Sequence, residues 1–262
     1  MDLGIKGKRA LVSGGSSGIG RACAVELARE GATVCVVGRD QGRLAEAVEE
    51  LKQAGTEGFA VAADLSIAAG CRQAFEACDQ RMGGVDIFVS SAGAAQPAPV
   101  LELDPSRVDE ALGLKLYSAI RLSQLVVPGM RAQHWGRIVY IAGAAGSSPD
   151  AENLPVSFAN ITMMNLTRSM SDAVSRDGIL VNVICPGGVN TPRTWARREA
   201  QARREGRTVQ DLLKDAGSLL PAGRIAEPEE IARMAAFLSS EPCSYVFASA
   251  IYMDGGGRRG TP

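Results

Sequence analysis

The sequence is poor in the residues that most often bind metals or form disulfides. It has one histidine, His134, and its six cysteines include no Cys-x-x-Cys pair. Zinc sites need clusters of such ligands, so we expect no metal. The cysteines lie in apolar stretches such as "TVCVVG" and "NVICPG". This setting is typical of buried free thiols in a reducing compartment.

The chain also lacks an excess of charge of one sign and any long apolar run. Its net charge of −1 gives no reason to expect nucleic acid or an anionic membrane as partner. No apolar run reaches the roughly 18 residues of a membrane-spanning helix. The N-terminal "MDLGIKGKRALVSGG" lacks the apolar core and cleavage site of a signal peptide. We therefore predict a cytoplasmic, soluble protein.

What the chain does have is an alternation of short apolar runs and longer segments of helical period. Nearly continuous apolar runs suit strands of a parallel sheet that is covered on both faces. The order predicts a single α/β domain over residues 1–262, with a doubly wound, seven-stranded, mostly parallel sheet and helices on both faces. The predicted strands are 9–14, 33–38, 58–64, 85–93, 136–143, 179–187 and 248–256, and the predicted helices are 19–30, 41–54, 68–82, 105–132, 155–176 and 228–239.

An arginine-rich insertion, residues 192–220, lengthens the connection after the sixth predicted strand. Ligands of open α/β sheets bind beyond the carboxyl ends of the strands, so this segment is a candidate lid. One interpretation is contact with an anionic ligand, such as a phosphopantetheine or carboxylate group. The other is a solvated helix face. The arginines concerned are Arg193, Arg197, Arg198, Arg203, Arg204 and Arg207.

A glycine-rich turn stands directly between the first predicted strand and the first predicted helix, in "LVSGGSSGIGRACAVELAREGATV". Glycines permit a tight turn and a close approach of the backbone to a pyrophosphate. The free N–H groups and the positive dipole end of the helix then bind that pyrophosphate. This context predicts a dinucleotide site of the Rossmann type, formed by Gly14, Ser16, Ser17, Gly18, Ile19 and Gly20.

The spacing G-x-x-x-G-x-G resembles that of the short-chain dehydrogenase/reductase family, and so do "AADL", "SSAG", "CPGGVNTP" and "IYMDGG" further along. The resemblance extends from about residue 7 to 257. It implies an oxidoreductase with a nicotinamide nucleotide, assembled as a homotetramer or a dimer. It also implies further cofactor contacts: Asp64 and Leu65 at the adenine, Ser91, Ala92 and Gly93 after the fourth strand, and Pro186, Gly187, Val189 and Thr191 near the carboxamide.

The end of the second predicted strand, "VVGRD", bears on the choice of nucleotide. Proteins that select NAD place an acid here to accept from the ribose 2′-hydroxyl. Arg39 stands at or next to that position, and a guanidinium suits a 2′-phosphate better than a neutral diol. Asp40 follows and could instead take the acid's role. We predict NADP(H) in preference to NAD(H).

Four positions depart from the family's catalytic pattern of asparagine, serine, tyrosine and lysine. Alignment of "GRIVYIAGAAG" and "NLTRSM" with the family puts Lys115, Gly143, Val156 and Asn160 at these positions. No tyrosine occurs between Tyr140 and Tyr245, so no shift of register can restore the family's Y-x-x-x-K. Asn160 could still bond a ribose hydroxyl. Ordinary carbonyl reduction by the family mechanism is therefore not predicted.

Lys115 is the remaining candidate for catalysis, because it lies on an otherwise apolar helix face that the family directs toward the active site. A desolvated lysine has a lowered pKa and can act as acid, base or Schiff-base amine. The more common alternative is a lysine that reaches solvent or pairs with an acid.

Three functions stay open at this point. The first is an NADP(H)-linked oxidoreductase in which Lys115 or water replaces the usual proton donor. The second is a non-redox enzyme, such as a lyase or dehydratase, on the same fold. The third is a catalytically silent nucleotide-binding protein or partner subunit. The small-molecule substrate is unknown, and the arginine-rich insertion favours an anionic one.

Overall fold

The computed structural model describes residues 1–93 and 95–259. Its strands form one sheet in the order β3-β2-β1-β4-β5-β6-β7, and every pairing is parallel. The predicted doubly wound α/β fold is therefore confirmed. The strands are β1 (Arg9–Ser13), β2 (Thr33–Gly38), β3 (Gly58–Ala62), β4 (Ile87–Ser90), β5 (Gly136–Ile141), β6 (Ile179–Pro186) and β7 (Ala250–Met253).

Helices cover both faces of the sheet because its strands are apolar on both sides. One core lies between the sheet and a layer that includes α3, α5 and α6. The other lies between the sheet and α1, α2 and α9. In the described part of the chain the helices are α1 (Gly18–Arg29), α2 (Gln41–Gln53), α3 (Ala68–Met82), α4 (Ser106–Leu112), α5 (Ser118–Ala132), α6 (Leu154–Val174), α7 (Pro192–Glu205), α8 (Val209–Ser218) and α9 (Pro228–Leu238).

The predicted helix 105–132 is not continuous. A π-helical turn over Gly113–Tyr117 joins α4 to α5, and the Ser118 hydroxyl donates to the Leu114 carbonyl at 2.5 Å within it. A π turn inserts a residue into the helix and changes the direction of its side chains. Lys115 lies at the centre of this turn.

Most strands are shorter than predicted, and the difference is largest at β4 and β7. β4 ends at Ser90 and β7 at Met253. After β7 the chain turns at Gly255 and Gly256, whose φ angles of 64° and 79° lie in the left-handed region and are incompatible with a strand. At β4 the chain leaves the sheet after Ser90 and forms the loop that borders the cavity described below.

The insertion 192–220 contains two helices, α7 and α8. A threonine begins each of them: the Thr191 hydroxyl accepts from the Thr194 N–H, and the Thr208 hydroxyl from the Asp211 N–H.

All six cysteines are buried free thiols, as their apolar surroundings predicted. Across residues 1–93 and 95–259, no helix is both long enough and apolar enough to span a membrane.

Candidate active site

A cavity of about 380 Å³ opens at the carboxyl ends of β1, β2 and β4, where the fold places ligands. Its walls come from the glycine-rich turn, the ends of β2 and β3, the loop after β4 and the start of α7. The residues lining it are Gly14, Ser16, Ser17, Gly18, Ile19, Val37, Gly38, Arg39, Asp40, Arg43, Ala63, Leu65, Ser91, Ala92, Gly93, Leu114, Thr191, Pro192 and Arg193.

The glycine-rich turn has no space for side chains at two of its glycines. A Cβ on Gly20 would lie 2.3 Å from the Gly14 carbonyl oxygen, and a Cβ on Gly14 would lie 2.8 Å from the Ala92 nitrogen. Gly14 also has a φ of 70°. The backbone of the turn therefore lies directly against the loop after β4, and it is exposed toward the cavity.

The N-terminus of α1 points into this cavity without a side-chain cap. Ser17, the residue before the helix, makes no capping hydrogen bond, and no acidic residue occurs in the first turn. The first N–H groups and the positive end of the helix dipole therefore stay available to an anion. Thr191 closes over the same turn, with its Cγ2 3.4 Å from the Cβ position of Gly18.

Two arginines stand at the far end of the cavity, beyond β2. Arg39 and Arg43 both line it. Asp40, between them, begins α2: one carboxylate oxygen accepts from the Arg43 N–H at 3.0 Å, and the other lies 3.6 Å from the Arg43 Nε. Asp40 is thus held by Arg43, whereas Arg39 stands at the cavity wall.

Six of the predicted nucleotide residues do not line the cavity: Gly20, Asp64, Asn160, Pro186, Gly187 and Val189. Asp64 instead accepts from the Ser66 N–H and hydroxyl, at 2.9 and 2.7 Å. These hydrogen bonds hold the pKa of Asp64 below its usual range, and the charge of Arg39 contributes in the same direction. Val189 is buried and forms a bridge with Ala226.

Other lining residues were not predicted from the sequence, including Val37, Gly38, Ala63, Leu114 and Pro192. The ends of β2 and β3 bring the first three together, and only the tertiary structure shows this. Arg43 was also missed; it lies in the first turn of α2, which brings it to the cavity beside Arg39.

Lys115 extends from the π turn toward the loop after β4. Its Nζ lies 3.8 Å from the Cβ position of Gly93, which lines the cavity, and it donates a long 3.4 Å hydrogen bond to the Ala142 carbonyl. No ion pair found within residues 1–93 and 95–259 includes Lys115. The common arrangement, a lysine paired with an acid, is therefore not observed here.

The surroundings of Lys115 lower its pKa from 10.5 to about 8, mainly because burial disfavours the ammonium and also because Arg193 is close. Cys185 is near Lys115 but offers no counter-charge, since burial raises the pKa of its thiol to about 12. With a pKa of about 8 this amine is mostly protonated at neutral pH and loses its proton at a lower pH than an exposed lysine does.

Asn160 lies against Gly143, so two of the four atypical positions are in contact. A Cβ on Gly143 would lie 2.8 Å from the Asn160 Nδ2. Asn160 is only 5% exposed, and its buried Oδ1 has no hydrogen-bond partner in the described structure. A buried polar atom without a partner is uncommon and marks a place for a ligand or a water.

Val156 completes an apolar wall on the other side of the site. It packs with Ala95, Ala111 and Ala159, which come from the loop after β4, from α4 and from α6. This wall offers neither a proton donor nor a hydrogen bond. Of the four atypical positions, only Lys115 and Asn160 therefore carry a polar side chain.

The chain matches the family model described as short chain dehydrogenase over residues 8–202. D-beta-hydroxybutyrate dehydrogenase of Cupriavidus necator is 34% identical over 256 residues, covering 96% of this chain and 98% of that protein. L-sorbose reductase from Gluconobacter frateurii, solved with NADPH and L-sorbose, is 32% identical with a TM-score of 0.96 over 100% of both chains. The 3-oxoacyl (acyl-carrier-protein) reductase of Agrobacterium tumefaciens, solved with NADP, is 31% identical with a TM-score of 0.88, covering 97% of this chain and 96% of that one. This protein therefore belongs to the short-chain dehydrogenase/reductase family.

Proposed function

We propose that this protein is an NADP(H)-dependent oxidoreductase in which Lys115 takes over the proton transfer that a tyrosine performs elsewhere in the family. The observation that carries the proposal is the position of the Lys115 ammonium. It lies beside Gly93 at the end of the nucleotide-sized cavity, its pKa is lowered to about 8, and no acid among the described residues pairs with it.

The cavity fits a dinucleotide by its own geometry. Gly14 and Gly18 line the cavity with bare backbone, and the uncapped N-terminus of α1 suits a pyrophosphate. Leu65 and Ala63 supply an apolar wall for the adenine, and Ser91 to Gly93 border the other half. Two relatives of similar fold were solved with NADPH or NADP, which supports the same cofactor here.

Arg39 and Arg43 support the preference for NADP(H) over NAD(H). A 2′-phosphate attached to the adenine ribose would meet two guanidinium groups at this end of the cavity. Asp40, the acid that could serve a free 2′-hydroxyl, is occupied with the start of α2 and with Arg43.

The chemistry follows from the groups that remain in the site. When bound, NADPH would supply a hydride to a carbonyl carbon. Lys115 holds a proton at Nζ and delivers it to the carbonyl oxygen; in the reverse direction its neutral amine removes the proton from the alcohol. Asn160 does not line the cavity and its unpartnered Oδ1 is buried, so we assign it no contact with the nucleotide. Gly143 and Val156 leave space around the substrate and hold no proton.

Lys115→Met provides the central test, since methionine has a similar length and no amine. We expect turnover of NADPH with a panel of ketones and aldehydes to fall about 10²–10⁴-fold, while the NADPH dissociation constant changes less than about twofold. Arg168→Met, on the exposed side of α6, serves as the control. Equal turnover in Lys115→Met and the parent would exclude Lys115 as the proton donor.

A second outcome concerns the silent-subunit alternative. If the parent protein binds NADPH but reduces no carbonyl compound in the panel, the oxidoreductase assignment fails and nucleotide binding alone remains. If the protein binds neither NADPH nor NADH, both the oxidoreductase and the nucleotide-binding hypotheses are wrong.

A further inference from the structure

Two polar side chains from different helical elements contact the backbone just after β5. Lys115, in the π turn, donates to the Ala142 carbonyl at 3.4 Å. Asn160, in α6, lies against the next residue: its Nδ2 and Oδ1 are 2.8 and 3.3 Å from the Cβ position of Gly143. The π turn and α6 also pack against each other. The two side chains therefore contact adjacent residues of one backbone segment.

The Ala142 carbonyl can accept from a side chain because the neighbouring strand does not use it. The Ala142 N–H donates to the Ile184 carbonyl of β6 at 2.8 Å. In a parallel ladder the Ala142 carbonyl would then accept from the N–H two positions later in β6. That residue is Pro186, which has no N–H. The proline therefore leaves an acceptor at the end of the sheet, and the Lys115 ammonium reaches it.

The hydrogen-bonding capacities of Lys115 and Asn160 are complementary. An ammonium has three donors, and the hydrogen bond that Lys115 makes in the described structure is long. Asn160 is 5% exposed, and its buried Oδ1 has no partner there. A buried acceptor without a partner is destabilising. A donor with unused protons thus lies beside the segment that holds an unused acceptor.

The other groups around Lys115 offer it no negative charge. Arg193 in α7 is a second cation, and the Cys185 thiol in β6 keeps its proton because burial raises its pKa to about 12. Arg121 in α5 donates to the Ser66 carbonyl. The charged side chains of α4 and α6 are exposed, namely those of Arg107, Asp109, Glu110, Arg168 and Asp172. The acceptor that remains is the Asn160 Oδ1.

We propose that Asn160 is a positioning residue for Lys115: its Oδ1 accepts a hydrogen bond from the Lys115 ammonium through one water molecule beside Gly143. This inference rests on the proposed function, because it assigns the residue that holds the proton donor of the same site. A hydrogen bond to the charged form of a group favours that form. Asn160 therefore keeps Lys115 protonated to a higher pH than burial alone would allow.

The first experiment measures the pKa of Lys115 without turnover. The Cε resonances of protein labelled with ¹³C-lysine are followed by NMR during a pH titration, and the resonance missing from Lys115→Met identifies Lys115. Asn160→Leu has a similar size and no hydrogen bond, so it should lower this pKa by about one unit. Asn160→Asp has the same shape and a negative charge, so it should raise the pKa by about one unit or more. The lysines of the chain are Lys6, Lys8, Lys52, Lys115 and Lys214.

Asn153→Leu is the matched control, since Asn153 lies directly before α6 and also has a buried Oδ1 without a partner in the described structure. It should leave the pKa of Lys115 unchanged. Opposite shifts in Asn160→Leu and Asn160→Asp support the proposal, because loosened packing alone would move the pKa in the same direction in both. No shift in Asn160→Leu, or shifts of the same sign, contradict it. If either variant does not fold, Asn160→Ala replaces it, and an unchanged pKa in Asn160→Ala contradicts the proposal.

The second experiment relates this pairing to proton transfer. Reduction needs the ammonium, so kcat/KM should begin to fall about one pH unit earlier in Asn160→Leu than in the parent and later in Asn160→Asp. At pH 9 we expect kcat/KM of Asn160→Leu to be about tenfold lower than that of the parent, with a much smaller difference at pH 6. The NADPH dissociation constant should not change.

The two experiments together separate the inference from the proposed function. Shifted pKa values with unshifted rate profiles support the pairing of Asn160 with Lys115 and contradict Lys115 as the proton donor. Unshifted pKa values with a reduction rate that depends on Lys115 contradict the pairing and leave the proposed function standing.

Discussion

The state of Lys115 decides the chemistry at the scale of single residues. Its ammonium faces Arg193 as a second cation and Cys185 as a thiol with a raised pKa. It donates only one long hydrogen bond, to Ala142. An amine in such surroundings loses its proton more easily than an exposed lysine, so it can change charge within an ordinary pH range.

The rate of carbonyl reduction should therefore depend on pH through Lys115. Because the reduction needs the ammonium, we expect kcat/KM to be level below the pKa of about 8 and to fall tenfold per pH unit above it. Alcohol oxidation needs the neutral amine and should rise over the same range. Initial rates from pH 6 to 10 measure both profiles. If the pH profile of Lys115→Met changes slope at the same pH as that of the parent, the change of slope belongs to another group.

Stability offers an independent check on the same residue. Lys115 has a lower pKa in the folded chain than its ordinary 10.5, so its protonated form opposes folding below about pH 8. This cost is gone above 10.5, where both states are neutral. Lys115→Met should therefore raise the unfolding temperature at pH 7 and have a smaller effect at pH 10.5. An equal change in unfolding temperature at pH 7 and pH 10.5 would contradict the lowered pKa of Lys115.

Gly143 and Asn160 should behave as a coupled pair. The Cβ of a serine at position 143 would lie 2.8 Å from the Asn160 Nδ2. We therefore expect Gly143→Ser to lower the free energy of unfolding by about 1–3 kcal/mol. In an Asn160→Ala background the clash is absent and the cost should fall by about 1 kcal/mol or more. Urea denaturation of the four proteins of this cycle measures the coupling. If the changes in unfolding free energy of the two single variants simply add in the double variant, the two residues are not coupled.

At the scale of elements, the helix connections decide where the functional side chains point. The π turn places Lys115 beside Gly93 and leaves its neighbour Tyr117 half-exposed. The start of α7 at Thr191 holds Arg193 over the cavity. β1 and β4 carry the loops that face these residues, so the alignment of these two strands matters for the site.

A buried ion pair fixes that alignment. Asp86, before β4, accepts from the N–H and the guanidinium of Arg9 on β1, and from Gln133 at 2.7 Å. Burial raises the pKa of Asp86, but these hydrogen bonds hold it below its usual value. We expect Asp86→Asn to cost about 1.5–3 kcal/mol at pH 7. Because the pKa is lowered, this contribution disappears as the pH falls below about 4.

Denaturation at pH 7 tests this prediction. Asp172→Asn is the matched control, since Asp172 pairs with Arg168 on the exposed surface of α6; it should change stability by less than about 0.5 kcal/mol. Similar costs for the two variants would show that burial adds nothing to the Asp86 interaction.

For the whole molecule, nucleotide binding should appear as stability. NADPH at 100 times its dissociation constant adds about 2.7 kcal/mol, or about 5–10 °C in unfolding temperature for a chain of this size. We expect Arg39→Gln with Arg43→Gln to reduce the response to NADPH and leave the response to NADH unchanged. Arg29→Gln, on the exposed side of α1, is the control. Equal losses for both nucleotides would contradict 2′-phosphate recognition.

Assembly is the other property of the whole molecule, and the homotetramer or dimer remains a prediction from the family resemblance. Tyr117, Phe158 and Ile161 are 46%, 44% and 41% exposed. We expect Phe158→Asp with Ile161→Asp to lower the mass in sedimentation equilibrium. Leu219→Asp, 78% exposed at the end of α8, should not. Unchanged mass in the double variant would exclude this face as the interface.

The amino-acid sequence by itself determined the alternation of strands and helices, the glycine-rich turn and the absence of a Y-x-x-x-K motif. These depend on local patterns: apolar runs, glycine spacing and residue identity. It did not determine the π turn, the contact between Asn160 and Gly143, or the lack of an acid near Lys115. Such features arise from residues far apart in the chain, such as Gly93, Lys115 and Arg193. Only the folded backbone brings these groups within a few ångströms, and their charge and burial then act on one another.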